Sequence, residues 1–285
     1  MMWAYAFKAR KVHATDVSSL SESQILEKQA DWLWVDCFEP SSDDFGIISE
    51  LFCHDARTID DMKNGKPFPR YQKHDNCTFL SVSVAAFQSA LTTYPIYIGV
   101  KGKMVLTVRS QDSSRPVEHA IQTLKDCIAE VEKTGPFLVV CEVLREASNE
   151  NLEVMMVLRE KIEKVEEEVI SNPSKRVMAK RIFELKREIA AFYRLLWSEE
   201  QMMSSIKDGL IPNLEPCEEN LLGLQDAMSN VSRELEFLNS YDSALDGVLT
   251  IQDLGMIHRV ETTLIYLTAA IIITNLILIF VELAF

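Results

Sequence analysis

Three oxygen-bearing side chains interrupt an otherwise apolar C-terminal stretch at heptad spacing. Thr268, Asn275 and Glu282 each lie seven residues from the next within residues 264–285, and Glu282 carries the only charge of that stretch. Seven residues make about two helical turns, so in a helix the three side chains share one stripe. In a ring of such helices, the stripe would form stacked rings of oxygen ligands around a central axis, an arrangement suited to cation passage.

Each of these side chains also has a simpler interpretation. Thr268 would bond to its own helix backbone, Asn275 would join neighbouring helices through its amide, and Glu282 would extend to the membrane interface. For Thr268 and Glu282 both interpretations stay open. Asn275 is expected inside a protein assembly under either one, because polar residues in membrane helices face protein or water.

The stretch itself has the length and composition of a transmembrane helix. As a helix it spans about 33 Å, and a bilayer core is about 30 Å thick. It shows no polar face, and a signal peptide would lie at the other end of the chain. A large preceding domain with unpaired cysteines, followed by Arg259 just before the span, favours a cytoplasmic N-terminal domain. We predict a single-pass protein of the cell (inner) membrane.

Composition excludes several classes of function. The net charge of −14 argues against nucleic-acid binding, which needs clustered Lys and Arg, and suits cations or a solvated acidic surface. The six cysteines form no CxxC pair and the five histidines are scattered, so no zinc site is indicated. Phosphate-binding, zinc-hydrolase and nucleophile-elbow motifs are absent from the sequence, and we therefore predict a protein that is not an enzyme.

Residues 1–135 combine strand and helix signals and predict a cytosolic α/β domain. Ser41 and Asp44 form a capping box for a helix that runs to Phe52. Lys101-Gly102-Lys103 predicts a hairpin turn. The predicted strands are residues 32–38, 78–87, 94–100 and 104–109, and a further helix is predicted over residues 115–133.

Nearly all of the remaining chain predicts helix. Residues 136–212 read as an acidic antiparallel hairpin of two helices, interrupted at Pro173 and ended by Gly209. A stalk helix over residues 213–263, beginning near Asn213, continues into the span at 264–285. The predicted fold class is therefore an α+β membrane protein with an N-terminal α/β domain, a helix hairpin and a long stalk that becomes one C-terminal transmembrane helix.

The stalk carries a heptad seam with two polar interruptions, Asp242 and Gln252. The seam could pack on the hairpin of the same chain, or it could pair with copies of itself. A heptad helix that feeds directly into a span favours self-association, because a symmetric assembly would continue across the bilayer. The apolar seam positions are Leu221, Leu224, Met228, Val231, Leu235, Leu238, Leu245 and Leu249.

Several short motifs, in this order and spacing, resemble those of the CorA family of magnesium transporters, and together they cover essentially the whole chain. The first group is Trp34-Val35-Asp36, Ile59-Asp60-Asp61-Met62-Lys63-Asn64 and Pro69-Arg70-Tyr71. The second is Val165-Glu166-Glu167-Glu168-Val169, Asn172-Pro173, Glu184-Leu185-Lys186-Arg187-Glu188 and Leu196-Trp197. The third is the uninterrupted helix into a first span.

The resemblance implies a homopentamer in which the stalk helix becomes the pore-lining span. In that family a second span follows, and a Gly-Met-Asn loop between the spans holds hydrated magnesium. This sequence shows neither feature, and Thr274-Asn275-Leu276 stands where the family has a proline. The expectation is either a fragment or a divergent member that stops at its first span.

The resemblance also implies a regulatory magnesium site between subunits, formed by Asp61 of one chain and Asp226 of its neighbour. Magnesium prefers carboxylate and water oxygens, and two carboxylates from different subunits repel until a cation joins them. Asp226 falls at heptad position f, away from the seam. The alternative is that both are ordinary surface acids. Glu261 aligns near an Asn ring of the family and is a candidate for the inner pore mouth.

The predicted function is CorA-like transport of divalent cations, chiefly Mg²⁺, through a homopentameric channel gated by intracellular Mg²⁺. Cobalt, nickel or zinc would suit similar oxygen ligands. The alternative is a non-conducting, membrane-tethered Mg²⁺ sensor or assembly partner, motivated by the missing loop and second span. A third interpretation, a coiled-coil scaffold unrelated to ions, does not explain the α/β domain.

Overall fold

A computed structural model of the chain describes residues 1–8, 11–17, 30–52, 55–66, 69–74, 76–88, 90–126, 135–172, 177–216 and 221–284. By contacts it separates into two units. The first comprises Met1–Val157 with Ala191–Phe237, and the second comprises Leu158–Ala190 with Leu238–Phe285. Each unit is described by itself below.

A seven-stranded mixed sheet forms the centre of the first unit, in the order β2-β1-β3-β7-β6-β5-β4. Strands β3 and β7 pair in parallel, and the other neighbours are antiparallel. The strands are β1 (Met2–Lys8), β2 (Lys11–Asp16), β3 (Trp32–Phe38), β4 (Arg70–Lys73), β5 (Thr78–Phe87), β6 (Leu91–Lys101) and β7 (Met104–Arg109).

Four of these strands confirm the sequence prediction, and β1, β2 and β4 were not predicted. Strands β3 and β7 are buried along almost their whole length, which explains why they read as continuous apolar runs. Gly102 lies in the β6–β7 turn with a φ of 55°, the left-handed conformation that glycine adopts without a steric penalty. At Gly99 a Cβ atom would lie 2.7 Å from Phe79, so the sheet face needs a glycine there.

Three short helices cover the sheet: α1 (Ser42–Leu51), α2 (Ala56–Lys63) and α3 (Ser114–Asp126). The predicted capping box at the start of α1 is present, because Ser41 Oγ accepts from the Asp44 N–H and the Asp44 carboxylate accepts from the Ser41 N–H. Helix α2 was not predicted, and its N-cap is Asp55. The end of the predicted helix at 115–133 lies outside the described residues beyond Asp126.

Three long helices follow: α4 (Pro136–Ser171), α5 (Val177–Lys207) and α6 (Leu221–Ala284). Helices α4 and α5 confirm the predicted hairpin, although the predicted start at Ser174 lies outside the described residues. Gly209 ends α5 with a φ of 67°, as its position predicted. The prediction that the third helix begins near Asn213 is wrong, because residues 211–216 are not helical and Asn213 itself has a φ of 62°.

The heptad seam of α6 is covered within the single chain. In the first unit Leu224, Val231 and Leu235 are buried, and in the second unit Leu238 and Leu245 are buried. This is the first of the two alternatives for the seam. A pairing of copies through the seam is therefore not needed to remove it from water.

In the second unit, ion pairs connect the acidic hairpin and α6. Lys186 Nζ lies 3.1 Å from Asp242 Oδ1 and 2.6 Å from Asp246 Oδ1. Arg181 Nη1 lies 2.7 Å from Glu168 Oε1. The polar residue that interrupts the seam at position 242 therefore has a cationic partner on α5 of the same chain.

Candidate functional site

The Asp61 carboxylate lies in a cluster of cationic and amide groups at the end of α2. Lys66 Nζ contacts Oδ1, Arg70 Nη2 contacts Oδ2, and Gln72 Nε2 donates to Oδ2 at 3.3 Å. The hydrogen bond from Lys66 is the largest influence on the pKa of Asp61 and, with the charge of Arg70, keeps that pKa below its usual value despite the cost of burial. The tyrosine hydroxyl of Tyr97 holds the backbone by donating to the Asp61 carbonyl at 2.7 Å.

This arrangement satisfies Asp61 with the protein's own cations. Both carboxylate oxygens face basic groups, so a divalent cation would bind there only by displacing Lys66 or Arg70. Among the described residues, no group of three His, Cys, Asp or Glu side chains is placed to hold a metal ion. Within one chain, Asp61 alone therefore does not provide a ready-made magnesium site.

Asp226 lies on an exposed part of α6. Burial works to lower the pKa of the neighbouring Arg145, but its hydrogen bond to Glu142 and the charges of Glu142, Glu146 and Asp226 raise that pKa overall. In the described part of the chain no hydrogen bond or ion pair joins Asp226 to Asp61. The predicted pair stays a prediction that concerns contacts between copies.

Of the candidate pore residues, Glu261, Thr268 and Asn275 lie on an exposed part of α6. Over Leu221–Val281 the helix contains an 18-residue window that is apolar enough to cross a membrane, with a mean hydropathy of 2.6, and none of that window is buried in the chain. Thr268 Oγ1 donates to the Leu264 carbonyl at 2.8 Å, the backbone bond expected from its simpler interpretation. The side-chain amide of Asn275 has no hydrogen-bond partner among the described residues, and the side chain of Glu282 lies outside them.

Glu261 lies just before the span on the exposed surface of α6. Its carboxylate is 3.9 Å from His258 Nδ1, one helical turn earlier, and both side chains are mostly exposed. An exposed pair at this distance contributes little to stability. Glu261 is therefore available to face an axis between copies.

The sequence analysis missed the groups that neutralise Asp61. Arg70 was quoted only as part of a motif, and Lys66 was not singled out. Both lie within nine residues of Asp61, but the ion pairs form only because the chain turns at Gly65, where φ is 57°, and returns as β4. A single sequence contains no signal for that turn stronger than the Asn-Gly pair at positions 64 and 65.

We expect removal of Lys66 to strengthen cation binding at Asp61. The Lys66→Met variant relieves one of the two competing cations, and we expect about tenfold tighter Mg²⁺ binding in a calorimetric titration of the full chain in detergent. Lys63→Met is the matched control, because it removes an equal charge from an exposed position of the same helix end. Equal Mg²⁺ affinity in the two variants would contradict a cation site at Asp61.

One family model matches most of the chain, and several solved structures share its fold. The family model described as CorA-like Mg²⁺ transporter protein matches residues 29–276. The complete CorA magnesium transporter of Methanocaldococcus jannaschii aligns with a TM-score of 0.75 and 16% identity, over 96% of this chain and 82% of that chain. No curated protein sequence matches the chain.

Two further solved structures share the fold. The full-length CmaX protein aligns with a TM-score of 0.71 and 12% identity, over 93% of this chain and 80% of that chain. The cytoplasmic domain of ZntB from Vibrio parahaemolyticus aligns with a TM-score of 0.63 and 12% identity, over 91% of this chain and 98% of that chain. At these identities the similarity to solved structures establishes the fold alone. The family match covers most of the sequence, and it indicates divalent-cation transport at the family level rather than catalysis. The chain belongs to the CorA-like Mg²⁺ transporter family.

Proposed function

We propose that this chain assembles as a homo-oligomer, a pentamer by resemblance to its family, and conducts divalent cations, chiefly Mg²⁺, across the cell (inner) membrane. In this proposal α6 lines the pore and the N-terminal domain lies in the cytoplasm. Intracellular Mg²⁺ gates the channel. The cation is the transported substrate and also the regulatory ligand.

The unbroken course of α6 is the observation that carries the proposal. One helix runs from Leu221 to Ala284, and its last part leaves large apolar side chains uncovered, among them Leu254, Ile257 and Val260 before the span. Apolar surface of this extent is unstable in water and needs lipid or other copies of the chain as a cover. A helix that is covered by its own chain at one end and uncovered at the other fits a stalk that enters a membrane assembly.

The Thr268, Asn275 and Glu282 stripe supplies the oxygen groups for a pore. Thr268 uses its hydroxyl hydrogen on the helix backbone, which leaves its oxygen lone pairs available to a cation. Asn275 offers an amide oxygen with no competing bond in the described chain. Glu261 would add a ring of negative charge at the cytoplasmic mouth, which raises the local concentration of cations.

Gating would use Asp61 and Asp226 of neighbouring copies. Two carboxylates brought together without a cation repel one another, and a bound Mg²⁺ would favour the closed assembly because it binds that state better. The ion pairs of Asp61 with Lys66 and Arg70 add a competing state in which the carboxylate stays with its own subunit. The gate would therefore respond to Mg²⁺ only above the concentration at which the cation outcompetes these groups.

Flux measurements on the full chain in liposomes test the proposal. We expect Mg²⁺ entry that is reported by an enclosed magnesium-sensitive dye and scales with the amount of protein. Cross-linking in the same vesicles should give one oligomer larger than a dimer. Oligomers that bind Mg²⁺ but carry no flux would contradict the channel and support the non-conducting sensor. A monomer with and without Mg²⁺ would contradict both.

A further inference from the structure

Two glutamates are buried in the first unit, and neither forms an ion pair with a described residue. Glu199 on α5 is 1% exposed and Glu234 on α6 is 0% exposed. Among the described residues, neither oxygen of Glu234 has a hydrogen-bond partner, and Glu199 Oε1 accepts a bond from the Ser83 N–H of β5 at 3.0 Å. An ionised carboxylate in such surroundings costs several kcal/mol unless a cation or several donors compensate it.

The groups that lie against Glu199 along the edge of β5 are polar and neutral. Strand β5 contributes Ser83, whose hydroxyl is buried and has no hydrogen-bond partner among the described residues. Helix α4 contributes Asn151, whose Oδ1 accepts from the Ala85 N–H at 2.9 Å while its Nδ2 has no partner. Strand β4 pairs with β5 only as far as Ser81. Beyond that point the side chains of Glu199 and Asn151 accept hydrogen bonds from the β5 backbone, where a neighbouring strand would otherwise pair. Among the described residues, Ser83 and Asn151 therefore bring hydrogen-bond donors and acceptors to this edge of β5 but no positive charge.

The charges that reach this pair come from two helices. The charges that act on Glu234 are those of Glu199 on α5, which opposes its ionisation, and of Arg233 on α6 itself, which favours it. Arg233 is exposed, and its side chain does not pair with Glu234 in the described structure. The Ser232 hydroxyl donates a hydrogen bond to Oε1 of Glu200, the residue next to Glu199, at 2.6 Å. The buried residues that β5 and α4 present are neutral.

We propose that Glu199 and Glu234 form a buried proton-binding site, which keeps both carboxyl groups neutral in the folded chain and makes the packing of α5 on α6 in this unit depend on pH. Protonation removes the charge of each carboxylate and converts the group into one that can both donate and accept a hydrogen bond. Loss of the protons places two like charges in a dry interior. A divalent cation fits less well, since Mg²⁺ retains several waters and, among the described residues, no third His, Cys, Asp or Glu side chain joins the two carboxylates.

The direction of the pH effect follows from the burial. Burial raises the pKa of Glu199 to about 8, although the Ser83 N–H bond works against the rise. Burial and the charge of Glu199 raise the pKa of Glu234 to about 9. At a pH above 4.5, the ordinary pKa of a glutamate, the unfolded chain therefore releases protons that the folded chain still holds. The stabilisation from these bound protons is complete below pH 4.5. It is lost progressively as the pH rises to the pKa values of the folded chain, about 8 for Glu199 and about 9 for Glu234.

The test is denaturant unfolding of the full chain in detergent between about pH 6 and about pH 10. In the wild type, each glutamate that is protonated in the folded chain and ionised in the unfolded chain should raise the unfolding equilibrium constant about tenfold per pH unit. The double variant Glu199→Gln with Glu234→Gln should lose this dependence. Glu236→Gln, an exposed change two residues from Glu234, is the matched control and should keep the wild-type profile.

Infrared spectroscopy gives a second readout that does not depend on the variants folding. The folded wild type at neutral pH should show the carbonyl stretch of a buried protonated carboxylic acid, and this band should disappear on alkaline titration. A wild type without this band, or with a pH profile equal to that of the double variant, would overturn the proposal. Recovery of stability by Mg²⁺ at alkaline pH in the wild type alone would also overturn it, because the pair would then be a cation site.

Discussion

Replacing Asp36 by asparagine is expected to lower the free energy of unfolding by about 3–5 kcal/mol, the largest effect on stability that we predict for this chain. Asp36 is 1% exposed on β3 and receives the guanidinium of Arg109 from β7, with Nη2 at 2.9 Å from Oδ2. The asparagine has nearly the same shape but no charge. Arg109 would then remain buried without its main counter-charge.

The surroundings of this ion pair explain why the loss is not compensated. Thr107 Oγ1 donates to Asp36 Oδ1 at 2.7 Å and itself accepts from Trp34 Nε1 at 3.0 Å. Although burial works to lower the pKa of Arg109, its bonds to Asp36 and Glu118 raise it, so the guanidinium stays charged. The four side chains of β3 and β7 therefore form one network whose only buried anion is Asp36.

Two further variants separate the buried charge from general disruption. Glu118→Gln removes the other partner of Arg109, but that carboxylate is 56% exposed, so we expect a loss of less than about 1 kcal/mol. The double change Asp36→Leu with Arg109→Met removes both charges and should recover much of the stability lost in Asp36→Asn. The measurement is urea unfolding followed by tryptophan fluorescence. An Asp36→Asn chain as stable as the wild type would show that the ion pair does not stabilise the sheet.

Replacing Asn275 by leucine is expected to reduce Mg²⁺ entry into liposomes by at least about tenfold. The change removes the amide ring from the middle of the candidate pore and leaves an apolar constriction, which closes a pore to ions by excluding water. Asn275 is suited to this role because, in the described chain, its amide is exposed and has no partner. The readout is the initial rate of dye response at equal amounts of assembled protein.

Two matched variants make this result specific. Thr274→Val alters the adjacent residue, whose hydroxyl already donates to the Ala270 carbonyl at 2.8 Å and which lies off the stripe, so flux should be unchanged. Asn275→Asp keeps an oxygen ligand at the site and should retain flux. Normal flux in Asn275→Leu, with an oligomer of normal size, would exclude Asn275 from the pore and favour the interpretation that it joins helices.

The sequence predicted those elements whose signals are local. The capping box at Ser41 and Asp44, the Gly102 turn and the glycine stop at Gly209 were recognisable because a few adjacent residues determine the backbone there. Helix α2 and the strands β1, β2 and β4 were missed. Strands β2 and β4 are the short edge strands of the sheet, and β1 pairs with β2 and β3, so these strands depend on their neighbours in the sheet more than on local signals. The proposed start of α6 near Asn213 failed because the apolar pattern continues upstream through a segment that turns instead.

By itself the sequence determined the apolar span with its polar stripe, the heptad seam and the motifs that mark the family, because each depends on spacing along one chain. Only the tertiary structure decided which partners those residues meet. It surrounded Asp61 with Lys66 and Arg70, covered the seam within the chain, and buried Glu234 without a counter-charge. The physical reason is that electrostatic and desolvation energies depend on distances between residues far apart in sequence, which spacing along the chain does not encode.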